Sequence, residues 1–115
     1  MVQFNEIYTK DAFNEEIAAN ASETITDEVG RRRRFGPFNK LFLKNRSGVA
    51  IQLRLDGLVI AGSRFDLAAG ETLILNPEDG DPEFSFVVIK NLDGAIAVAA
   101  DTVLVRWAKA IKVGA

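Results

Sequence analysis

The chain has 115 residues, 48% of them hydrophobic and 26% charged, with a formal net charge of −2. This is enough for one domain with a packed core, and too apolar for a disordered chain. The absence of Cys and His excludes disulfides, thiol nucleophiles, imidazole bases and nearly all zinc chemistry. Carboxylates, hydroxyls, lysines and Tyr8 are what remain for catalysis. No enzyme activity, cofactor, metal or small-molecule substrate is therefore expected. Apolar runs such as Phe86-Val-Val-Ile89 fall far short of the ~20 residues that span a bilayer, so no membrane partner is expected either. Met1–Glu6 has neither a basic nor an apolar leader region, and the expected site of synthesis is a cytoplasm.

Charge divides the chain. Residues 1–30 carry one lysine against seven carboxylates, a net −6, whereas residues 31–115 carry thirteen cations against nine anions, a net +4. The break falls at Arg31-Arg-Arg-Arg34, and such a break marks an organisational boundary. Ahead of it, Thr9 or Asp11 is placed to cap a short helix running to about Ala21, with Phe13 and Ile17 sharing a face. Phe4, Ile7 and Tyr8 precede that helix, and Gly36-Pro37 stops any helix arriving from upstream. Residues 1–37 thus read as an N-terminal arm with a short helix and a basic linker, and residues 38–115 as a separate β-domain.

From Phe38 onward the hydrophobic period is two. Leu41 and Leu43 alternate with Lys40, Phe42 and Lys44, and Val49, Ile51, Leu53 and Leu55 alternate with Ala50, Gln52 and Arg54. Asn45-Arg-Ser-Gly48 reads as the hairpin turn between them, and Asp56-Gly57 as a second turn before a strand at Leu58-Val-Ile60. Further strands are predicted at Thr72–Leu75, Phe84–Lys90 and Ala95–Ala99. A long last one runs from Thr102 to about Ala108, with Val103, Val105 and Trp107 on one side. The phrase Lys-Asn-x-x-Gly occurs at Lys44–Gly48 and again at Lys90–Gly94, which suggests equivalent hairpins on opposite sheets. Seven or so short strands without connecting helices predict a mainly β protein, a small antiparallel β-sandwich or jelly-roll-like barrel with an N-terminal arm.

The acidic stretch Glu78, Asp79, Asp81 and Glu83 lacks the spaced oxygen ligands of a calcium loop and reads as a solvated turn. For the arginine run, a nucleic-acid site calls for a broad basic surface with interleaved aromatics, and only Phe35 and Phe38 accompany it. Nucleic acid is not the expected partner. Contact between protein subunits, an acidic arm with a basic root, is the reading that best fits the charge split, with a merely solvated linker as the first alternative and nucleic acid as the second.

Three stretches carry a family resemblance. Leu41-Phe-Leu-Lys-Asn-Arg-Ser-Gly-Val-Ala-Ile-Gln-Leu-Arg-Leu-Asp-Gly57, Phe65-Asp-Leu-Ala-Ala-Gly-Glu-Thr-Leu-Ile-Leu75 and Val88-Ile-Lys-Asn91 resemble small β-sandwich virion proteins of tailed bacteriophages. Those families include capsid decoration (cement) proteins and head or tail accessory proteins. The resemblance implies a non-catalytic subunit of a virion, bound to copies of itself and to major capsid or other virion subunits. A head–tail or tail accessory subunit, or a carbohydrate- or peptide-binding sandwich, is the alternative. The residues expected at subunit contacts are Phe4, Tyr8, Phe13, Ile17, Arg31, Arg32, Arg33, Arg34 and Phe35.

Replacing all four arginines of the run with Gln is expected to leave the fold intact while weakening assembly, and high salt is expected to mimic that loss in the unaltered protein. Sedimentation velocity of both proteins at low and high salt checks this. Normal assembly combined with a loss of tight DNA binding would identify nucleic acid as the partner instead.

Overall fold

The computed structural model describes residues 3–26 and 37–113. Eight strands form two four-stranded antiparallel sheets. They are β1 (Gln3–Phe13), β2 (Ser22–Ile25), β3 (Lys40–Asn45), β4 (Ile51–Leu55), β5 (Arg64–Leu67), β6 (Thr72–Leu75), β7 (Val87–Asn91) and β8 (Val103–Val113). The strand orders are β1-β8-β3-β6 and β2-β7-β4-β5. Of the consecutive pairs, only β4 and β5 lie in the same sheet, and the chain changes sheets at all the remaining steps. The alternation read from the sequence fixes which side chains face inward. Leu41, Leu43, Val103, Val105 and Trp107 of one sheet meet Ile51, Leu53, Leu55, Val87 and Ile89 of the other in a single core.

A chain that keeps leaving one sheet for the other strands its backbone N–H and C=O groups inside the protein, where each needs a partner. Asparagine side chains supply many of these partners. Asn14, one residue beyond β1, donates to the carbonyls of Glu15 and Ala99 and accepts from the N–H groups of Thr102 and Val103. Asn45 closes β3: it donates to Val49 and Ala68 carbonyls, and its Oδ1 accepts from the Ser47 N–H and hydroxyl. Asn91 closes β7: it donates to the carbonyls of Ile17, Ala18 and Ile96 and accepts from the Asp93 N–H. Asn39 pairs through both ends of its amide with the backbone of Ala110. All four are buried. Two isolated antiparallel bridges, Ile17 with Val98 and Phe38 with Phe84, add pairing outside the strands.

Several expectations need correction. Residues 9–21 form no helix: β1 pairs along its length with β8, from Gln3 opposite Val113 to Phe13 opposite Leu104. Phe13 and Ile17, expected on one face, have opposite environments, at 54% and 2% exposure. An eleven-residue strand partner outweighs a thin helical stripe, because tertiary pairing overrides local propensity. Residues on both sides of the expected division at 37/38 contribute strands to the same two sheets. Asn45–Gly48 is not a hairpin turn but a passage from one sheet to the other, since β3 and β4 never pair. Leu58–Ile60 is irregular loop rather than a strand, and Ala95–Ala99 reduces to the single bridge at Val98. The two Lys-Asn-x-x-Gly phrases do lie on opposite sheets. They end β3 and β7 with the same motif, a buried Asn whose Oδ1 receives the N–H two residues on.

Trp107 is fully buried among Phe38 and Phe84, with ring centroids 5.9 and 6.5 Å away. Its Nε1 is the one buried side-chain nitrogen or oxygen among the described residues that lacks a hydrogen-bond partner. As the only tryptophan in the chain, it reports on the core by fluorescence.

Asn14→Ala strands the buried Val103 N–H and the half-buried Thr102 N–H and takes a donor from the Glu15 and Ala99 carbonyls, of which Ala99 keeps the Thr102 hydroxyl. Unsatisfied buried groups cost about 1–3 kcal/mol each before relaxation. The expected net loss is on the order of 2–4 kcal/mol, measured from urea unfolding followed by Trp107 fluorescence. A change within ~0.5 kcal/mol, as expected for the exposed control Ser22→Ala, would show that the side chain is not a structural tie.

Candidate functional site

The two outer faces differ in chemistry. On the β2-β7-β4-β5 sheet, Ser22, Lys90, Gln52 and Asp66 form one cross-strand row, and Thr24, Val88, Arg54 and Arg64 the next. Gln52 donates to Asp66 (2.8 Å) and accepts from Arg54 Nε (2.7 Å). This face is polar and cationic. Arg54 and Arg64 stand directly opposite one another, an arrangement that costs free energy unless an anion offsets it.

The β1-β8-β3-β6 sheet presents the opposite. Asp11, Arg106, Phe42 and Ile74 make one row, and Phe13, Leu104, Lys44 and Thr72 the next. Phe13, Phe42 and Ile74 are 54%, 39% and 58% exposed. Between β1 and β3 runs an open groove of about 480 Å³, lined by Asp11, Ala12, Phe13, Phe42, Leu104 and Arg106. A smaller hollow of about 210 Å³ continues past Phe42 toward Ile74 and Lys40.

Ion pairs frame the groove. The Arg106 guanidinium grips Asp11 through Nε and Nη2, which holds the Asp11 carboxyl below its usual range and raises Arg106. Glu6 accepts from Lys40 (2.9 Å) and from the Thr9 hydroxyl (3.0 Å), and these bonds lower its pKa as well. Near the end of the sandwich where β1 finishes, Glu23 accepts the Glu15 N–H through both oxygens. Its pKa is raised, because burial outweighs that bond.

A second apolar feature lies at the tip of the β4–β5 connection, where Leu58, Val59 and Ile60 are 45%, 51% and 60% exposed. Three consecutive exposed aliphatics are a fault in a soluble fold unless they serve a purpose. The loop has internal order. Asp56 and Gly57 both take positive φ, and the Leu58 N–H bonds to the Leu55 carbonyl (3.0 Å), a tight primed turn. The Ser63 N–H then returns to the Ile60 carbonyl (3.2 Å) across Gly62, whose φ is 90°. Asp56 fastens the base by accepting from the N–H groups of Ser85 and Phe86.

The residues expected at subunit contacts fall in different places. Phe13 lines the groove, and Phe4 is half-buried on β1. Tyr8 is half-buried with its ring stacked on Phe38 at 5.8 Å. Ile17 lies in the chain's own core, bridged to Val98. Arg31, Arg32, Arg33, Arg34 and Phe35 lie outside the described residues. Of the acidic stretch, Asp81 accepts the Asn76 N–H (3.0 Å) and Glu83 pairs with Lys109 (3.4 Å). Phe42, Ile74, Leu104 and the Leu58–Ile60 tip did not stand out as surface features in the sequence. The signal for Phe42 was its phase, an aromatic in register with Lys40 and Lys44 on the outward side. No family model, curated protein or solved structure matches the chain.

The Glu6 pKa is depressed in the folded protein, so its contribution to stability is present above the ordinary carboxylate value and is lost as pH falls through the folded value. Glu6→Gln is therefore expected to melt below the unaltered protein at neutral pH. The gap should narrow on acidification to below the usual glutamate range. Thermal melts across that window decide it, and a gap that is independent of pH would mean that the Lys40 pair does not couple to folding.

Proposed function

We propose that the chain is a non-catalytic structural subunit of a virion, of the capsid decoration or cement type, that binds neighbouring subunits and strengthens the particle. One observation carries this reading: an internally braced sandwich gathers outward apolar side chains in the groove on the β1-β8-β3-β6 face and at the Leu58–Ile60 tip, besides the exposed Ile7, Leu92, Ile96 and Ile111 elsewhere. Outward apolar patches of this kind mark contact surfaces. The strand order β1-β8-β3-β6 over β2-β7-β4-β5 is that of an eight-stranded jelly roll, an architecture that viral capsid proteins share with lectins and cupins. It supports the reading without separating it from those others, since fold alone does not assign function. The sequence texture shared with small virion proteins of tailed bacteriophages favours the virion. In this reading Arg31–Arg34, between β2 and β3, meets carboxylates of a neighbouring subunit.

A second reading has a specific observation behind it. Phe13 and Phe42 expose aromatic faces on a sheet, beside Asp11, Arg106 and Lys44, as a carbohydrate- or peptide-binding module does. Electron microscopy of the protein mixed with empty heads of tailed bacteriophages separates the two. Regularly spaced added density on the heads is the expected outcome. Bare heads, together with glycan binding that disappears in Phe42→Ala, would transfer the chain to the second reading.

A further inference from the structure

We infer that copies of this chain associate head to tail, the Leu58–Ile60 tip of one copy seated in the Phe13–Phe42–Leu104 groove of the next. The inference rests on the subunit reading above and names the contact that reading leaves open. Its occupant is a second copy of this chain, and four features argue for it.

The first is preorganisation. The tip is closed by the bonds from Leu58 to Leu55, from Leu55 to Ser63 and from Ser63 to Ile60, so little freedom remains to be lost on docking. The second is fit. The groove of about 480 Å³ has apolar walls from Ala12, Phe13, Phe42 and Leu104, and accommodates aliphatic side chains of the kind the tip presents.

The third is charge. Arg54 and Arg64 lie side by side on the two strands that carry the tip, repelling each other within their own chain. Around the end of the groove where β1 finishes, the exposed carboxylates Glu15, Glu16 and Asp101 outnumber the exposed cation Arg46, whose N–H bonds to the Thr102 carbonyl (2.8 Å). Asp101 is held there by its N–H bond to the Asn14 carbonyl (3.0 Å). A docked neighbour brings the arginine pair toward these carboxylates, which directs the encounter and sets its orientation.

The fourth is placement. The groove opens on the β1-β8-β3-β6 face, near the end where β8 begins. The tip follows Leu55, whose partner Val87 begins β7, and so stands at the other end of the molecule on the other sheet. Tip and groove of one copy cannot meet each other. Where the contact runs one way, from the tip of each copy to the groove of the next, it is heterologous and continues into a ring or a filament, which suits a protein laid down in many copies on a particle.

The test uses the full chain. The weight-average mass from sedimentation equilibrium is expected to rise with concentration above the 12.6 kDa of one chain, and to fall back with added sodium chloride. Ile60→Glu removes the tip and Phe13→Glu removes the groove. Both positions are exposed, so circular dichroism melts are expected to stay within a few degrees of the parent. Should either variant lose its fold, Ile60→Ser and Phe13→Ser replace them. Each variant alone is expected to remain at one-chain mass. Their equimolar mixture is expected to reach twice that mass and stop, because each pair has one sound tip in one sound groove and nothing left to propagate.

A mixture that stays at one-chain mass would overturn the contact. So would a parent protein that remains a single chain at millimolar concentration. If that single chain still decorates phage heads, the subunit reading survives and only the head-to-tail contact falls. Flotation with phosphatidylserine–phosphatidylcholine vesicles that Ile60→Glu abolishes, with the parent at one-chain mass, would assign the tip to lipid and refute the proposal.

Discussion

The constraint on which this fold depends is that backbone polar groups must stay paired while the chain changes sheets. A meander of hairpins satisfies its own ladders, because each strand turns directly onto its neighbour. Here strands adjacent in sequence, apart from β4 and β5, lie in different sheets. Each crossing takes peptide groups out of one ladder before they reach the other. Asn14, Asn45 and Asn91 stand at three of these crossings and act as detached peptide groups, an acceptor and a donor on a short stem. Asn39 does the same at the start of β3. Aspartate offers only acceptors when ionised, and alanine offers nothing. The amide is the side chain that answers both needs in a site closed to water.

With the ends braced in this way, the core is filled by ordinary alternation, and the outward positions are released from any duty to the fold. The two sheets use that freedom differently. One spends it on Gln52, Arg54, Arg64, Asp66 and Lys90, which keep a sheet face in water. The other carries Phe13, Phe42 and Ile74 with two ion pairs set among them. The Asp11–Arg106 pair is largely exposed, so its stabilising effect on the monomer is small. Its more evident effect is to hold a long side chain flat beside the groove, which fixes the groove's edge.

Much of this architecture is legible in the sequence wherever the period is two and both faces differ. Val103, Val105 and Trp107 face inward as their spacing requires, and so do Ile51, Leu53 and Leu55. The paired Lys-Asn-x-x-Gly phrases mark structurally matching places. What the sequence does not display is which strand pairs with which. Asn45-Arg-Ser-Gly48 has the composition of a hairpin turn, and nothing local distinguishes a turn within a sheet from a step across to the other. The first strand was hidden for the same reason. Between Gln3 and Phe13 the alternation is blurred by a register shift at Glu6–Tyr8 and by Lys10 on the core-facing side opposite Trp107. Only the distant β8 makes this stretch a strand. The apolar tip was concealed by its own composition, since Leu58-Val-Ile60 has the residues of a strand and lacks only a partner.

The pairing of β1 with β8 has a kinetic corollary. Gln3 lies opposite Val113 and Phe13 opposite Leu104, so the ladder joins residues separated by nearly the whole chain. During synthesis the first strand emerges long before its complement exists, and closing so large a loop delays every contact that depends on it. The β4–β5 pair, joined by the short loop 56–63, is the one ladder that can form from strands adjacent in sequence. A nascent chain therefore holds its earliest strand in waiting, with Tyr8 and Ala12 uncovered until the last strand arrives to complete the sheet. Of the ladders in the two sheets, the one between β1 and β8 carries the largest loop-closure cost.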